Sequence, residues 1–216
     1  MNVQLINITP SAEQHIVEVA RVSSKRQDKK QDYAGLIKYL IKHKHWSPFE
    51  HAYATFEIHT SKAIGIQLIR HRSFTFQEFS QRYQDVGLIN DDIFEPIELR
   101  KQATNNRQSS TDLFVDKVKV EGGYMNLDDM VESHLANAKQ LYRLMLSEGV
   151  ARETARMVLP LATKTKIHMT GSVRSWIHFL QLRDDEHAQK EIREIAKEVR
   201  SYLNEALPVV MSALGK

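Results

Sequence analysis

Three arginines, a histidine, a glutamate and several hydroxyls crowd into RHRSFTFQEFSQRY (70–83), among three phenylalanines and a tyrosine. The spacing is Arg70-His71-Arg72, seven residues, then Ser80. Arginines this close repel one another unless an anion sits between them, and the planar guanidinium fork suits phosphate and carboxylate. Arginine recurs beside apolar sequence in ARETAR, at Arg152 and Arg156. From the residues alone two readings stay open: a solvated basic face anchored by phenylalanines, or a site for anionic ligands. Ser80 as a nucleophile would need an adjacent base, so hydrogen bonding to substrate is the better reading. Ten histidines invite a metal, but no HExxH spacing occurs and no thiolate exists. No metal site is expected.

Composition narrows the choices. The 216 residues carry 42% hydrophobic and 26% charged side chains, ordinary for a globular protein. Thirty basic against 27 acidic residues leave a formal charge of +3. A nucleic-acid module usually concentrates its positive charge in a stripe, whereas here the signs interleave, so no nucleic-acid partner is expected. No apolar run approaches the ~18 residues of a membrane span, and MNVQLINITPSAEQ lacks the basic-then-apolar order of a secretory signal. No membrane association is expected, and a cytoplasmic location is the default. The absence of cysteine removes disulfides and thiolate nucleophiles together.

RHR-x7-S resembles the signature of the flavin-dependent thymidylate synthases, and 70–83 is similar to its wider form. The likeness continues in order through HWSPFEH (45–51), QLIRHR (67–72), ARMVLPL (155–161) and SVRSWIHFLQLRDDEHAQKEI (172–192). The resemblance implies reductive methylation of dUMP to dTMP, with FAD bound and methylenetetrahydrofolate and NADPH as co-substrates. It also implies a homotetramer whose sites are shared between subunits. The missing cysteine fits, because the other thymidylate synthase family attacks uracil with a thiolate. By position, the resemblance implies flavin contacts at His45, Ser47, Arg70, His71, Arg72, Glu78, Ser172, Val173, Arg174 and His178. It implies dUMP contacts at Gln67, Leu68, Ile69, Arg70, Glu78, Phe79, Ser80, Gln81, Arg82 and Arg156. Arg183 matches the arginine that binds and polarises the uracil ring and is the implied catalytic residue. The chain departs from the commoner pattern at Gln77, Gln81, Ser172 and His178, where asparagine, glycine, asparagine and asparagine are usual. All four can hydrogen-bond, but Gln81 lacks glycine's backbone freedom, so the phosphate loop is expected to differ in shape. A relative that keeps nucleotide binding without catalysis is the alternative that turnover of dUMP would separate.

These residues need elements to hold them. VQLINI (3–8), AYATFEIHT (52–60) and TKTKIHMT (163–170) alternate as half-buried strands. Helices are read after Pro10-Ser11, after a cap at Asp32, and over Lys62–Arg70, Leu127–Glu148, Ala151–Leu159, Ser172–Leu182 and Gln189–Leu207. The polar stretch 100–124, above all Gln102–Asp112, is expected to be a mobile loop or insertion lying away from the flavin. The expected fold class is α+β: helices around a small, largely antiparallel sheet, in a single domain over 1–216, for which the resemblance implies a homotetramer.

Overall fold

The computed structural model describes residues 1–22, 33–89 and 92–215. The Asp32 cap lies outside the described residues. In chain order the elements are β1 (Asn2–Ile8), α1 (Ala12–Ala20), α2 (Tyr33–Lys42), β2 (Tyr53–Ser61), α3 (Lys62–Leu68) and β3 (Phe74–Glu78). There follow β4 (Arg100–Gln102), β5 (Ser110–Leu113), β6 (Lys117–Val120), β7 (Gly123–Asn126), α4 (Leu127–Ser147) and α5 (Arg152–Ala155). The chain ends with β8 (Lys164–Ser172), α6 (Val173–Arg183), α7 (Lys190–Ala206) and α8 (Pro208–Leu214). This is an α+β fold. A four-stranded sheet has the order β1-β2-β8-β3, and β4-β5 and β6-β7 form separate antiparallel ribbons.

Contacts divide the chain into two compact units. One takes Met1, His59–Gln67 and Glu78–Lys166; the other takes Asn2–Ile58, Leu68–Gln77 and Ile167–Lys216. In the second unit the strand alternation does what the sequence pattern demands: Ala54, Phe56 and Ile58 of β2 and Ile167 and Met169 of β8 are buried. Trp176 and Phe179 of α6 are fully buried, and Phe56 meets the Trp176 ring edge-on at 4.7 Å. The Trp176 indole N–H donates to the Ala54 carbonyl at 3.1 Å, so this large side chain leaves no polar atom stranded. A Cβ built on Gly171 would stand 2.4 Å from Phe74, so only glycine admits that ring beside β8. The buried stripe of α7 is Ile192, Ile195, Ala196, Val199 and Leu203.

The first unit has its own core of Val86, Ile93, Phe94, Ala138, Tyr142 and Ala155. The Tyr142 hydroxyl donates to Asp85 at 3.2 Å and accepts the Val86 N–H at 3.4 Å, which satisfies a buried phenol.

Sequence and structure differ in four places. The segment read only as an arginine cluster contains β3, whose short Phe74–Glu78 alternation was hidden by its charged flanks. The helix read over Ala151–Leu159 is a single α turn, α5, followed by a 3-10 turn over Arg156–Val158, because Pro160 lies too close for a longer helix. Beyond α7, Leu207 leaves helical geometry (φ −134°) and Pro208 opens α8. The stretch read as a loop over 100–124 is instead built largely as the two ribbons, with Gly122 at φ 96° supplying the turn of the second. Its tip is tied by local bonds: the Gln102 amide donates to the carbonyls of Asn106 and Ser109 at 3.1 and 2.8 Å. Because those bonds are internal, replacing Gln102–Asp112 with a short Gly/Ser linker is expected to leave FAD content nearly unchanged. Flavin absorbance per mole of refolded variant measures this, and joint loss of folding and flavin would show the ribbon to be structural.

Candidate active site

The Arg70-His71-Arg72 triplet sits in the tight turn between α3 and β3. The His71 N–H donates to the Leu68 carbonyl at 3.0 Å, and the Phe74 N–H donates to the His71 carbonyl at 3.2 Å. This turn leaves Arg70 and Arg72 exposed and folds the His71 ring inward. The imidazole packs edge-on to Phe179 at 5.2 Å and Phe74 at 6.1 Å, and Arg183 Nε donates to its Nε2 at 2.9 Å. Burial first, then the Arg183 charge and His178, push the His71 pKa down from 6.5 to about 4. The ring is therefore neutral near pH 7. For Nε2 to accept from Arg183, its proton must be on Nδ1. Burial also lowers the Arg183 pKa, but a guanidinium starts so high that it stays charged.

Beside this pair, a cleft of about 360 Å3 is lined by Trp46, Glu50, Ser73, Arg174, His178 and Gln181, among others. Arg174, in the first turn of α6, forms an ion pair with Glu50, and both side chains are about half exposed. Ser172 and Val173 do not reach the cleft in the same way. The Ser172 hydroxyl caps α6 by accepting the Ser175 N–H at 3.2 Å, and the Val173 side chain is buried while its N–H donates to the Ala52 carbonyl at 2.8 Å. Ser47 opens a 3-10 turn over Ser47–Glu50 and is exposed. His45 is exposed too, its ring 5.9 Å from Tyr39. A larger cavity of about 860 Å3 runs along α1 with Tyr33 and His51, and none of the implied flavin or dUMP contacts lines it.

The remaining candidates lie in the other unit, except Leu68, which is fully buried, and Ile69, which is exposed; both belong to the unit of the triplet. Gln67 ends its share of α3. Glu78 ends β3 and accepts from Lys62 Nζ at 2.7 Å and the Thr165 hydroxyl at 2.8 Å. The Phe79 N–H donates to the Lys166 carbonyl at 2.8 Å, and the Ser80 carbonyl accepts from Tyr83 and Gln84. That turn leaves the Ser80 side chain exposed. Gln81 is 8% exposed, and its Nε2 is buried with no hydrogen-bond partner among the described residues. Arg82 Nη2 reaches Glu153 Oε2 at 3.0 Å, and Arg156 Nε donates to the Glu153 carbonyl at 3.3 Å. Two guanidinia thus converge on one residue of α5.

The sequence reading missed Trp46, Ser73, Ser175 and Gln181 on the cleft and Lys62, Thr165 and Glu153 around the second cluster. Trp46 and Glu153 stood inside blocks already singled out, HWSPFEH and ARETAR. Ser73, Ser175 and Gln181 also stood inside quoted blocks, 70–83 and 172–192, whereas Lys62 and Thr165 meet Glu78 from 16 and 87 positions away in the chain.

Comparison with known proteins follows the same lines. The family described as "Thymidylate synthase complementing protein" matches residues 4–209. A flavin-dependent thymidylate synthase of Synechocystis is 42% identical over 204 residues, covering 94% of this chain and 90% of that protein. A probable flavin-dependent thymidylate synthase of Paramecium bursaria Chlorella virus 1 is 37% identical over 228 residues, covering 99% of each. Among solved structures, the UMP/dUMP methylase PolB of Streptomyces cacaoi, bound with 5-Br dUMP, superposes with a TM-score of 0.76. Its identity is 28%, over 98% of this chain and 93% of that one. With its arginine-histidine-arginine turn and its match over nearly the full length, the chain belongs to the flavin-dependent thymidylate synthases.

Proposed function

We propose that this chain reductively methylates dUMP to dTMP, with FAD bound, methylenetetrahydrofolate as one-carbon donor and NADPH as reductant. The active form is a homotetramer with sites shared between subunits, each chain acting as a single functional domain in the cytoplasm. Among the described residues no helix is long and apolar enough to cross a membrane. The observation that carries the reading is the Arg183–His71 contact, a charged fork held 2.9 Å from a neutral imidazole at the edge of an arginine-lined turn.

The residues fit a flavin dinucleotide. The cleft beside α6 offers the Trp46 side chain, the Arg174 guanidinium and polar His178 and Gln181, and its roughly 360 Å3 suits part of so large a ligand. The rest falls to other subunits, so a single chain is inactive by itself. Arg70, Arg72 and Arg174, with Ser47, His45 and His178, would hold the cofactor. Ser172 and Val173 contribute through the start of α6, which they fix. When bound, FAD supplies the reducing equivalents that turn the transferred carbon into a methyl group. On the nucleotide, Arg82 and Arg156 meet the phosphate, and Glu153 yields its ion pair to that stronger acceptor. The unpartnered Gln81 amide finds its acceptor there as well. Ser80, Phe79 and Glu78 orient the nucleotide, with Lys62 and Thr165 fixing the Glu78 carboxylate. Arg183 hydrogen-bonds a uracil carbonyl and stabilises the negative charge that gathers there as the ring carbon becomes nucleophilic.

The purified protein is expected to be yellow and to release non-covalent FAD on denaturation, identified by chromatography, and to form dTMP from dUMP. A colourless protein that also fails to take up added FAD would end this reading. A yellow protein that never turns over dUMP would make it a binding relative without catalysis.

A further inference from the structure

Arg183 and Asp184 are adjacent at the end of α6, yet their side chains are committed in different directions. Arg183 Nε donates to His71, while Asp184 Oδ2 accepts from Arg200 Nε of α7 at 2.5 Å. The Asp184 and Arg200 side chains are only 16% and 15% exposed, so their attraction is little screened by solvent. A carboxylate at a helix C-terminus opposes the helix dipole, so Asp184 does not stabilise α6 by itself. It is also the anion nearest in sequence to a guanidinium that must stay free to meet a substrate.

We propose that Arg200 is a positioning residue for Arg183. By holding the Asp184 carboxylate toward α7, it keeps that carboxylate from capturing the Arg183 guanidinium, which stays turned to His71 and available to the uracil ring. This rests on the reading of Arg183 given under the proposed function. The next acid is disarmed in a similar way: Asp185 Oδ1 accepts the His187 N–H and its carbonyl accepts the Ala188 N–H, both at 2.9 Å. Arg193 Nη1, also from α7, donates to the Glu186 carbonyl at 3.3 Å and ties the connection down. Arg200 itself is fixed, because α7 buries Ile195, Ala196 and Val199 on the turns leading to it.

The test is a set of variants assayed for dTMP formation at equal FAD occupancy. Arg200→Met is expected to lower kcat by roughly tenfold to a hundredfold, the scale for a misplaced reacting group. Asp184→Asn should stay near wild type, and Arg200→Met with Asp184→Asn should recover most of the loss, since no carboxylate remains to draw Arg183 away. In an Arg183→Ala background, Arg200→Met should cause no further loss of kcat. A purely structural role would depress kcat in both backgrounds equally, and that result would overturn the proposal. So would wild-type kcat in folded, FAD-loaded Arg200→Met. If Arg200→Met fails to fold, the double variant carries the comparison, being free of the unpaired carboxylate: a kcat near that of Asp184→Asn supports the proposal, and a large loss overturns it. Normal turnover by Arg183→Ala would overturn the reading of Arg183 and this proposal together, whereas loss there with none in Arg200→Met overturns the proposal alone.

Discussion

Replacing Arg183 with alanine is expected to lower dTMP formation by roughly a hundred- to thousandfold at equal FAD occupancy. That is the scale at which removing one preorganised donor to developing charge shows itself. The competing account would make Arg183 a surface partner of the acids Asp184, Asp185 and Glu186 that follow it, where exposed pairs contribute only about 0–1 kcal/mol. The structure points Arg183 elsewhere: its Nε hydrogen is given to His71, and Asp184 is taken by Arg200. The guanidinium is thus anchored through one nitrogen while its remaining donors stay in a fixed plane, an arrangement a flexible ammonium cannot copy. Arg183→Lys is therefore also expected to be strongly impaired, although it keeps the charge. The measurement is dUMP-dependent dTMP formation by both variants and the parent protein. Near-normal turnover in both would remove Arg183 from the chemistry and leave Arg82 and Arg156 as the arginines to test.

What the sequence disclosed, and what it concealed, follows from the range of the interactions involved. The strands β1, β2 and β8 and the helices α6 and α7 were legible because their alternating or helical apolar spacing is a local record of one buried face. The arginine turn was legible because charge beside phenylalanine is chemically conspicuous. β3 was not, since its five residues are too few to outweigh the arginines before them, and the ribbons β4 to β7 bury almost nothing that would leave an apolar signature. The hydroxyl of Ser172 illustrates another limit. Its type suits a ligand contact, but the first turn of α6 has N–H groups without an intrahelical partner, and the hydroxyl accepts that of Ser175 as a cap. The pairs that organise the site, Arg183 with His71 and Asp184 with Arg200, join residues 112 and 16 positions apart. No local pattern records them. Gly171 likewise carries no local signal of the Phe74 ring that lies against it.

The neutral state of His71 has a measurable cost in acid. Its pKa is lowered from 6.5 to about 4 in the folded protein by burial and by the Arg183 charge, so between those values the unfolded chain binds a proton that the native chain refuses. Stability from this residue is thus fully present above pH 6.5, and it is lost as pH falls toward 4. The difference is at most about 3 kcal/mol, taking roughly 1.4 kcal/mol per unit, and solvent screening of the half-buried ring makes it smaller than that. The activity should fall over the lower part of the same window, because a protonated Nε2 can no longer accept from Arg183 and would instead repel it. His71→Gln separates this group from every other that titrates: its side-chain oxygen can accept from Arg183 but carries no proton of its own in this range. Urea unfolding at pH 7.5, 6, 5 and 4.5 should show the parent protein losing stability relative to His71→Gln as the solution is acidified, with the two curves parallel above pH 6.5. Glu13, whose carboxyl pKa is raised mainly by burial, contributes equally to both proteins and cancels in the comparison. Parallel curves down to pH 4.5 would mean that His71 titrates normally in the folded chain, and the inward-facing neutral ring would then have to be abandoned as the acceptor that fixes Arg183.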